Sequence, residues 1–206
     1  MWIIILFFVA QLQPKIFLMK RIAIFASGSG SNAENIITYF QNNMKAEVVL
    51  VLSNNPKALV LERANRLGVQ NLVFNTHQLN DSEWACETLK NMDLIVLAGF
   101  LWKFPQHLLE QYKDRVVNVH PALLPKYGGK GMYGMHVHQA VVSNKETESG
   151  ITIHYVNEHY DEGAIIFQAK CLLDSKDTPT DVAAKIHKLE MKHFPRVIEQ
   201  ILLENG

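Results

Sequence analysis

The sequence has little cysteine and no excess of charge of either sign. Cys86 and Cys171 are its only cysteines, and they lie far apart without a metal-type spacing. This scarcity argues against a secreted disulfide scaffold, so free thiols in a reducing, cytoplasmic compartment are expected. Basic and acidic residues number 20 each. No net charge therefore attracts nucleic acid or an acidic membrane, and neither is expected as a partner.

Long hydrophobic runs are also scarce, apart from one near the N-terminus. Trp2–Ala10 is apolar, but a bilayer span needs about 20 residues, and no Lys or Arg precedes the run as in a signal peptide. Met19 then opens a strand-like segment, as a natural protein start would. We expect translation to begin at Met19, with residues 1–18 a mis-assigned or non-native extension; a secreted protein is the alternative. An intact mass from the native host that retains Trp2 would contradict this expectation.

Short apolar runs alternate with amphipathic segments over the first half of the chain. Runs rich in Val, Ile and Leu predict strands at Arg21–Ala26, Ala46–Leu52, Asn71–Phe74, Asp93–Ala98 and Arg115–Val119. The segments between them predict helices at Ser31–Gln41, Pro56–Leu67, Asp81–Asn91 and Pro105–Tyr112. Asp81 is expected to be an N-cap, and Gly68 follows the end of its helix. The alternation predicts an α/β fold, a mostly parallel twisted sheet with helices on both faces.

The pattern changes after Pro121. A glycine-rich loop, Gly128–Gly134, follows. Beyond it the sequence predicts a short helix, two C-terminal antiparallel strands and a long final helix, at Val137–Ser143, Gly150–Val156, Ala164–Leu172 and Pro179–Leu203. No repeat or linker interrupts the pattern, so residues 19–206 are predicted to form a single domain.

A loop of small residues, Ser27-Gly28-Ser29-Gly30-Ser31-Asn32, connects the first strand to the first helix. Its backbone N–H groups would face outward at a helix N-terminus, which favours an anion such as phosphate. The loop lacks the third glycine of a dinucleotide fingerprint and the lysine of a P-loop. A plain tight turn is the alternative, although the position after a strand's carboxyl end favours a ligand site.

Two polar side chains alternate at the end of the fifth predicted strand. Asn118 and His120 leave the backbone on the same side, and Pro121 ends the strand. An amide beside an imidazole can stabilise a carbonyl oxygen as it becomes negative. A carboxylate close by, such as Asp161, would keep His120 charged and accept a proton. The alternatives are a buried pair bonded to backbone and, for Asp161, ordinary turn chemistry.

The remaining histidines offer weaker indications. His136 and His138 could form a metal pair, but no thiolate or carboxylate follows at the usual spacing, so no metal is expected. His154 lies in an alternating strand and is interpreted as a packed core residue.

Taken together, these features resemble the folate-dependent phosphoribosylglycinamide formyltransferases from Lys20 to about Leu203. The markers are Ser27–Asn32, Ser53-Asn54, Glu62-Arg63-Ala64, Leu97–Phe100, Asn118–Pro125, Gly150–His154, Asp161-x-Gly163 and Gln168. The resemblance implies a Rossmann-like formyltransferase fold and transfer of a formyl group from 10-formyltetrahydrofolate to the amine of glycinamide ribonucleotide, in purine synthesis. It also implies a nucleotide-binding half (residues 19–120), a folate-binding, catalytic half (residues 121–206) and small-molecule partners. A monomer or homodimer is expected.

The resemblance further implies roles for individual residues. The catalytic residues would be Asn118, His120 and Asp161. Residues that bind the ribonucleotide would be Gly28, Ser29, Gly30, Ser31, Asn32 and Glu190. Residues that bind the folate would be Leu101, Trp102, Lys103 and Phe104, together with Asn118 and Asp161. Trp102 departs from the family pattern, because many relatives carry an arginine there.

Other functions with the same fold or the same loop remain open. Methionyl-tRNA formyltransferases and formyltetrahydrofolate hydrolases share the Asn-x-His and Asp residues. The first would need an RNA-binding domain and basic surface, and the second an additional N-terminal domain. A nucleotide-binding module without catalysis is the alternative from another class.

Overall fold

A single seven-stranded sheet, in the order β3-β2-β1-β4-β5-β6-β7, runs through the protein. The computed structural model describes residues 19–204, so the expectation for residues 1–18 lies outside the described residues. The strands are β1 (Lys20–Phe25), β2 (Ala46–Ser53), β3 (Gln70–Val73), β4 (Leu94–Leu97), β5 (Val116–His120), β6 (Glu148–Tyr155) and β7 (Ile165–Leu172). The helices are α1 (Ser31–Asn43), α2 (Leu59–Arg66), α3 (Thr76–Asn80), α4 (Ser82–Thr88), α5 (Gln106–Gln111), α6 (Met135–Ser143) and α7 (Pro179–Glu204).

The sheet is parallel through β5 and antiparallel beyond it. β1 pairs in parallel with both β2 and β4, and β4 pairs in parallel with β5. β6 then runs antiparallel between β5 and β7. The predicted mostly parallel sheet with antiparallel C-terminal strands and a long final helix is therefore confirmed.

Alternating side chains of the sheet build two cores. Along β1, Ile22 and Ile24 join a core with the buried residues of α1, α2, α6 and α7. Ala23 and Phe25 point to the opposite face, where α3, α4 and α5 pack. The period-2 alternation of a strand thus buries both faces of the sheet under helices. Within residues 19–204, no helix is both long enough and apolar enough to span a bilayer.

Several helix boundaries differ from the predicted ones because local polar groups form turns. The helix predicted from Pro56 begins at Leu59, since Asn55 accepts hydrogen bonds from the backbone of Lys57 and Ala58. Helix α3 was not predicted. Its signal is a capping box in which Asn75 and Gln78 accept each other's backbone N–H.

Two predicted helix caps are confirmed. Asp81 accepts from the backbone N–H groups of Glu83 and Trp84 at the start of α4. Gly68 follows α2 in the left-handed conformation that a helix end favours.

Candidate active site

A cavity of about 560 Å³ opens at the carboxyl ends of β1, β4 and β5. Strand order reverses between β1 and β4, and open α/β sheets bind their ligands at such a switch point. The cavity is lined by the β1–α1 loop, the segment after β4, the end of β5 and its glycine-rich loop, the β6–β7 turn, and Glu190 of α7. All the predicted site residues lie in this lining.

The β1–α1 loop presents free backbone donors to the cavity. Gly30 is the N-cap of α1, and no side chain of residues 19–204 caps the helix. The loop is fixed to the segment after β4, because Ser27 N donates to Gly99 O (3.0 Å) and Leu101 N donates to Ser27 Oγ (3.0 Å). A 13-residue helix with an uncapped N-terminus favours an anion in front of it.

Gly30 is required for two separate reasons. Its φ of +75° lies in the left-handed region, and a Cβ there would come within 2.5 Å of the Val60 side chain. We expect Gly30→Ala to lower the free energy of unfolding by roughly 1–3 kcal/mol. Gly28→Ala is the matched control, because a Cβ at Gly28 meets no atom of the described residues within 4 Å. Urea unfolding of both variants tests this, and equal losses would contradict it.

Asn118 is held by a histidine on the neighbouring strand. Asn118 lies opposite His154 in the β5–β6 pairing, and its Nδ2 is 3.1 Å from His154 Nε2. His154 Nδ1 lies 2.8 Å from the carbonyl oxygen of Tyr155. A carbonyl only accepts, so in the neutral ring Nδ1 carries the proton and Nε2 accepts from the amide. Within residues 19–204 the second N–H of Asn118 has no partner, so it can donate to a ligand.

His120 is almost completely buried, at 3% exposure. Its Nε2 donates to the carbonyl oxygen of Tyr127 (2.7 Å), and its Nδ1 lies 3.4 Å from Asp161 Oδ2. Burial lowers the pKa of His120 below its usual value, while Asp161 and the Tyr127 carbonyl act in the opposite direction. Asp161 therefore acts in the expected direction, toward a charged ring, but burial outweighs it. The Nε2 atom of His120 carries a proton toward the Tyr127 carbonyl, and Nδ1 is the nitrogen that faces Asp161.

Asp161 is held in place by its turn. Its Oδ2 accepts from the backbone N–H of Gly129 (2.9 Å), and its Oδ1 lies 3.7 Å from His154 Nε2. Its φ of +59° is a left-handed conformation that aspartate tolerates better than most residues. Burial acts to raise the pKa of Asp161, but His154, His120 and the Gly129 N–H outweigh it and lower that pKa below its usual value. Asp161 is thus an anion in contact with both buried histidines.

Glu190 connects the final helix to the β1–α1 loop. Its Oε2 accepts from Asn32 Nδ2 (2.9 Å) and lies 3.6 Å from His187 Nδ1. The Oδ1 atom of Asn32 is buried, and among residues 19–204 it has no hydrogen-bond partner. This end of the cavity therefore offers a carboxylate and an amide oxygen, both of which accept from hydroxyl or N–H donors.

The segment after β4 forms an aromatic wall. Trp102 is half-buried, and its ring lies 6.0 Å from Phe74 and 6.4 Å from Phe100. Phe104 is buried against Phe25, while Leu101 and Lys103 are exposed. The side chain of Phe104 thus belongs mainly to the core, and the segment offers its backbone and Trp102 to a planar ligand.

Two histidines of this site were not assigned by the sequence. His154, interpreted as a core residue, is buried but contacts both Asn118 and Asp161. His138 is buried and lines the cavity, whereas His136 is exposed beside Tyr133. Residues two apart on a helix point in different directions, so these two cannot hold one metal. Across the described residues, no group of three His, Cys, Asp or Glu could hold a metal ion.

Comparison with known proteins agrees with this architecture. The sequence profile described as formyl transferase matches residues 20–198, and the chain belongs to that family. The phosphoribosylglycinamide formyltransferase of Bacillus subtilis is 36% identical over 191 residues, which cover 89% of this chain and 95% of that protein. Glycinamide ribonucleotide transformylase 1 from Symbiobacterium toebii superposes with a TM-score of 0.83 at 28% identity, covering 90% of this chain and 89% of that one.

One relative is far longer. The trifunctional purine biosynthetic protein adenosine-3 of Drosophila melanogaster is 37% identical over 196 residues, which cover 91% of this chain but only 14% of that protein. The predicted family, and with it the prediction of an enzyme of the phosphoribosylglycinamide formyltransferase type, are confirmed.

Proposed function

We propose that this protein transfers the formyl group of 10-formyltetrahydrofolate to the amine of glycinamide ribonucleotide, a step of purine synthesis. The products are the formylated nucleotide and tetrahydrofolate. The observation that carries the proposal is the cluster at the end of β5, where His120 Nδ1 lies 3.4 Å from Asp161 and Asn118 keeps a free amide N–H. Attack of an amine on a formyl carbon requires a donor to the developing oxyanion and an acceptor for the amine proton, and these groups can supply both.

The proposed catalytic steps start from the neutral form of His120. As the amine attacks, the formyl oxygen becomes negative in a tetrahedral intermediate, and the free N–H of Asn118 donates to it. His120 Nδ1 accepts the proton that the amine releases, and Asp161 stabilises the imidazolium that forms. The bond between the formyl carbon and N10 then breaks, and the proton passes to N10. No covalent enzyme intermediate is needed, because the amine is itself the nucleophile.

The two ends of the cavity suit the two substrates. We assign the nucleotide phosphate to the backbone N–H groups of Gly28, Ser29, Gly30, Ser31 and Asn32 at the start of α1. The carboxylate of Glu190 accepts from the ribose hydroxyls. The pterin lies against Leu101–Phe104, beside Asn118 and Asp161, with Trp102 offering an aromatic face. Holding both substrates in register supplies further acceleration.

The direct test is an assay with purified protein, glycinamide ribonucleotide and a 10-formylfolate, followed by absorbance of the folate product. We expect product only when the nucleotide is present. Product without nucleotide would instead favour a formyltetrahydrofolate hydrolase. Nucleotide binding without product would favour a binding module.

Two further expectations extend this proposal. All the groups that we assign to catalysis come from one chain, which suits the predicted monomer or homodimer. Cys86 and Cys171 are free thiols, which supports a reducing, cytoplasmic setting.

A further inference from the structure

His138 is a buried histidine of the cavity that no step above uses. It lies on α6, is 6% exposed, and lines the cavity together with His120 and Glu190. Its Nδ1 is cut off from solvent and has no hydrogen-bond partner among residues 19–204. A buried nitrogen without a partner costs more free energy as an N–H than as a lone pair.

In the neutral ring of His138, we place the proton on Nε2. Burial lowers the pKa of His138, so the ring is neutral and has one N–H and one lone pair. A buried N–H without an acceptor is rarer in proteins than an acceptor without a donor. The lone pair therefore belongs on the enclosed Nδ1 and the proton on Nε2. Nε2 is the nitrogen that can donate to a molecule in the cavity.

His138 lies within electrostatic range of both ends of the nucleotide site. Glu190 acts to raise its pKa, and His120 acts to lower it. Glu190 accepts a hydrogen bond from Asn32, which lies at the end assigned to the phosphate. His120 lies at the other end, beside Asp161, where the reaction is proposed to occur. In glycinamide ribonucleotide the group between the ribose and the reactive amine is an amide, whose carbonyl oxygen is an acceptor.

We propose that His138 Nε2 donates a hydrogen bond to the amide oxygen of the glycinamide and so directs the amine toward His120. This inference rests on the proposed function and makes His138 a substrate-binding residue for the glycinamide part. His138 would not strengthen the binding of nucleotides that lack the aminoacetamide group.

Two polar variants test this without changing the polarity of the site. Gln places an amide N–H about where Nε2 stands, whereas Asn reaches only as far as Nδ1. We expect His138→Asn to raise the KM for glycinamide ribonucleotide by about tenfold, the size of one hydrogen bond to an uncharged group. His138→Gln should recover most of this loss, and the KM for the folate donor should not change in either variant. Exposed His136 on the same helix provides the matched control, His136→Asn.

Calorimetric binding of two ligands locates the contact. Ribose 5-phosphate carries the phosphate and ribose but no amide, so His138→Asn should weaken the binding of glycinamide ribonucleotide and leave that of ribose 5-phosphate unchanged. Equal weakening of both ligands would overturn the inference and assign His138 to the ribose. Equal KM values for the Asn and Gln variants would overturn it as well. If the wild-type protein transfers no formyl group to glycinamide ribonucleotide, the proposed function itself fails, which is a separate outcome.

Discussion

Replacing Asn118 with alanine is expected to lower kcat by about 10²–10³, with little change in either KM. The amide N–H that is free of His154 donates to an oxygen that is negative only in the transition state, so its loss removes stabilisation that the ground state does not use. His154 holds the amide at 3.1 Å, which orients the donor before the substrate arrives. Steady-state kinetics measures the effect.

The control for this variant is an amide outside the cavity. Asn42 is exposed on α1, so Asn42→Ala should keep the wild-type kcat. Thermal unfolding of both variants verifies that the fold is retained. A folded Asn118→Ala with near wild-type turnover would refute its assignment as the oxyanion donor.

Replacing Asp161 with asparagine is expected to lower kcat at neutral pH by about 10²–10⁴, the range of general acid–base catalysis. The negative charge of Asp161 acts to raise the pKa of His120 against the effect of burial. Without that charge, the pKa of His120 falls still lower, and Nδ1 becomes a weaker base for the amine proton. The imidazolium formed during the reaction also loses its counter-ion, which lies at 3.4 Å.

The pH profile of kcat gives the sign of this coupling. His120 accepts a proton only when it is neutral, so activity falls as the pH drops through its pKa. Because asparagine lowers that pKa further, the acidic limb should move to lower pH while the plateau falls. Glu162→Gln is the control, because it removes a charge from the same turn at an exposed position. This variant should change neither the acidic limb nor the plateau of the kcat profile. An unshifted limb in Asp161→Asn would mean that the two groups are not coupled.

The glycine-rich loop after β5 contributes to catalysis through its backbone. Tyr127, directly before the loop, supplies the carbonyl that fixes the tautomer of His120, and Gly129 supplies the N–H that binds Asp161. Neither group is a side chain, so no residue type in the loop indicates these contacts. A motif search finds His120 and Asp161, but the backbone that sets their protonation states is visible only in the fold.

Local patterns were sufficient for the architecture. Alternating apolar runs predicted the strands, and the Gly/Ser loop after β1 and the spacing of Asn118 and His120 depend only on near neighbours in the chain. Helix α3 was not predicted, although the sequence contains a local signal for it, the capping box formed by Asn75 and Gln78. Order and spacing of these motifs were enough to recognise the family.

Contacts between distant segments were decided only by the tertiary structure. The β5–β6 register puts His154 opposite Asn118, and the β6–β7 turn brings Asp161 close to His120 and His154. Burial on one side of α6 separates His138 from exposed His136. Burial also lowers the pKa of His120, against the direction expected from its carboxylate neighbour. The sequence determined the family and the residue types of the site. Desolvation and strand register depend on the packing of the whole chain, so only the fold decided which atoms meet and which of them carry protons.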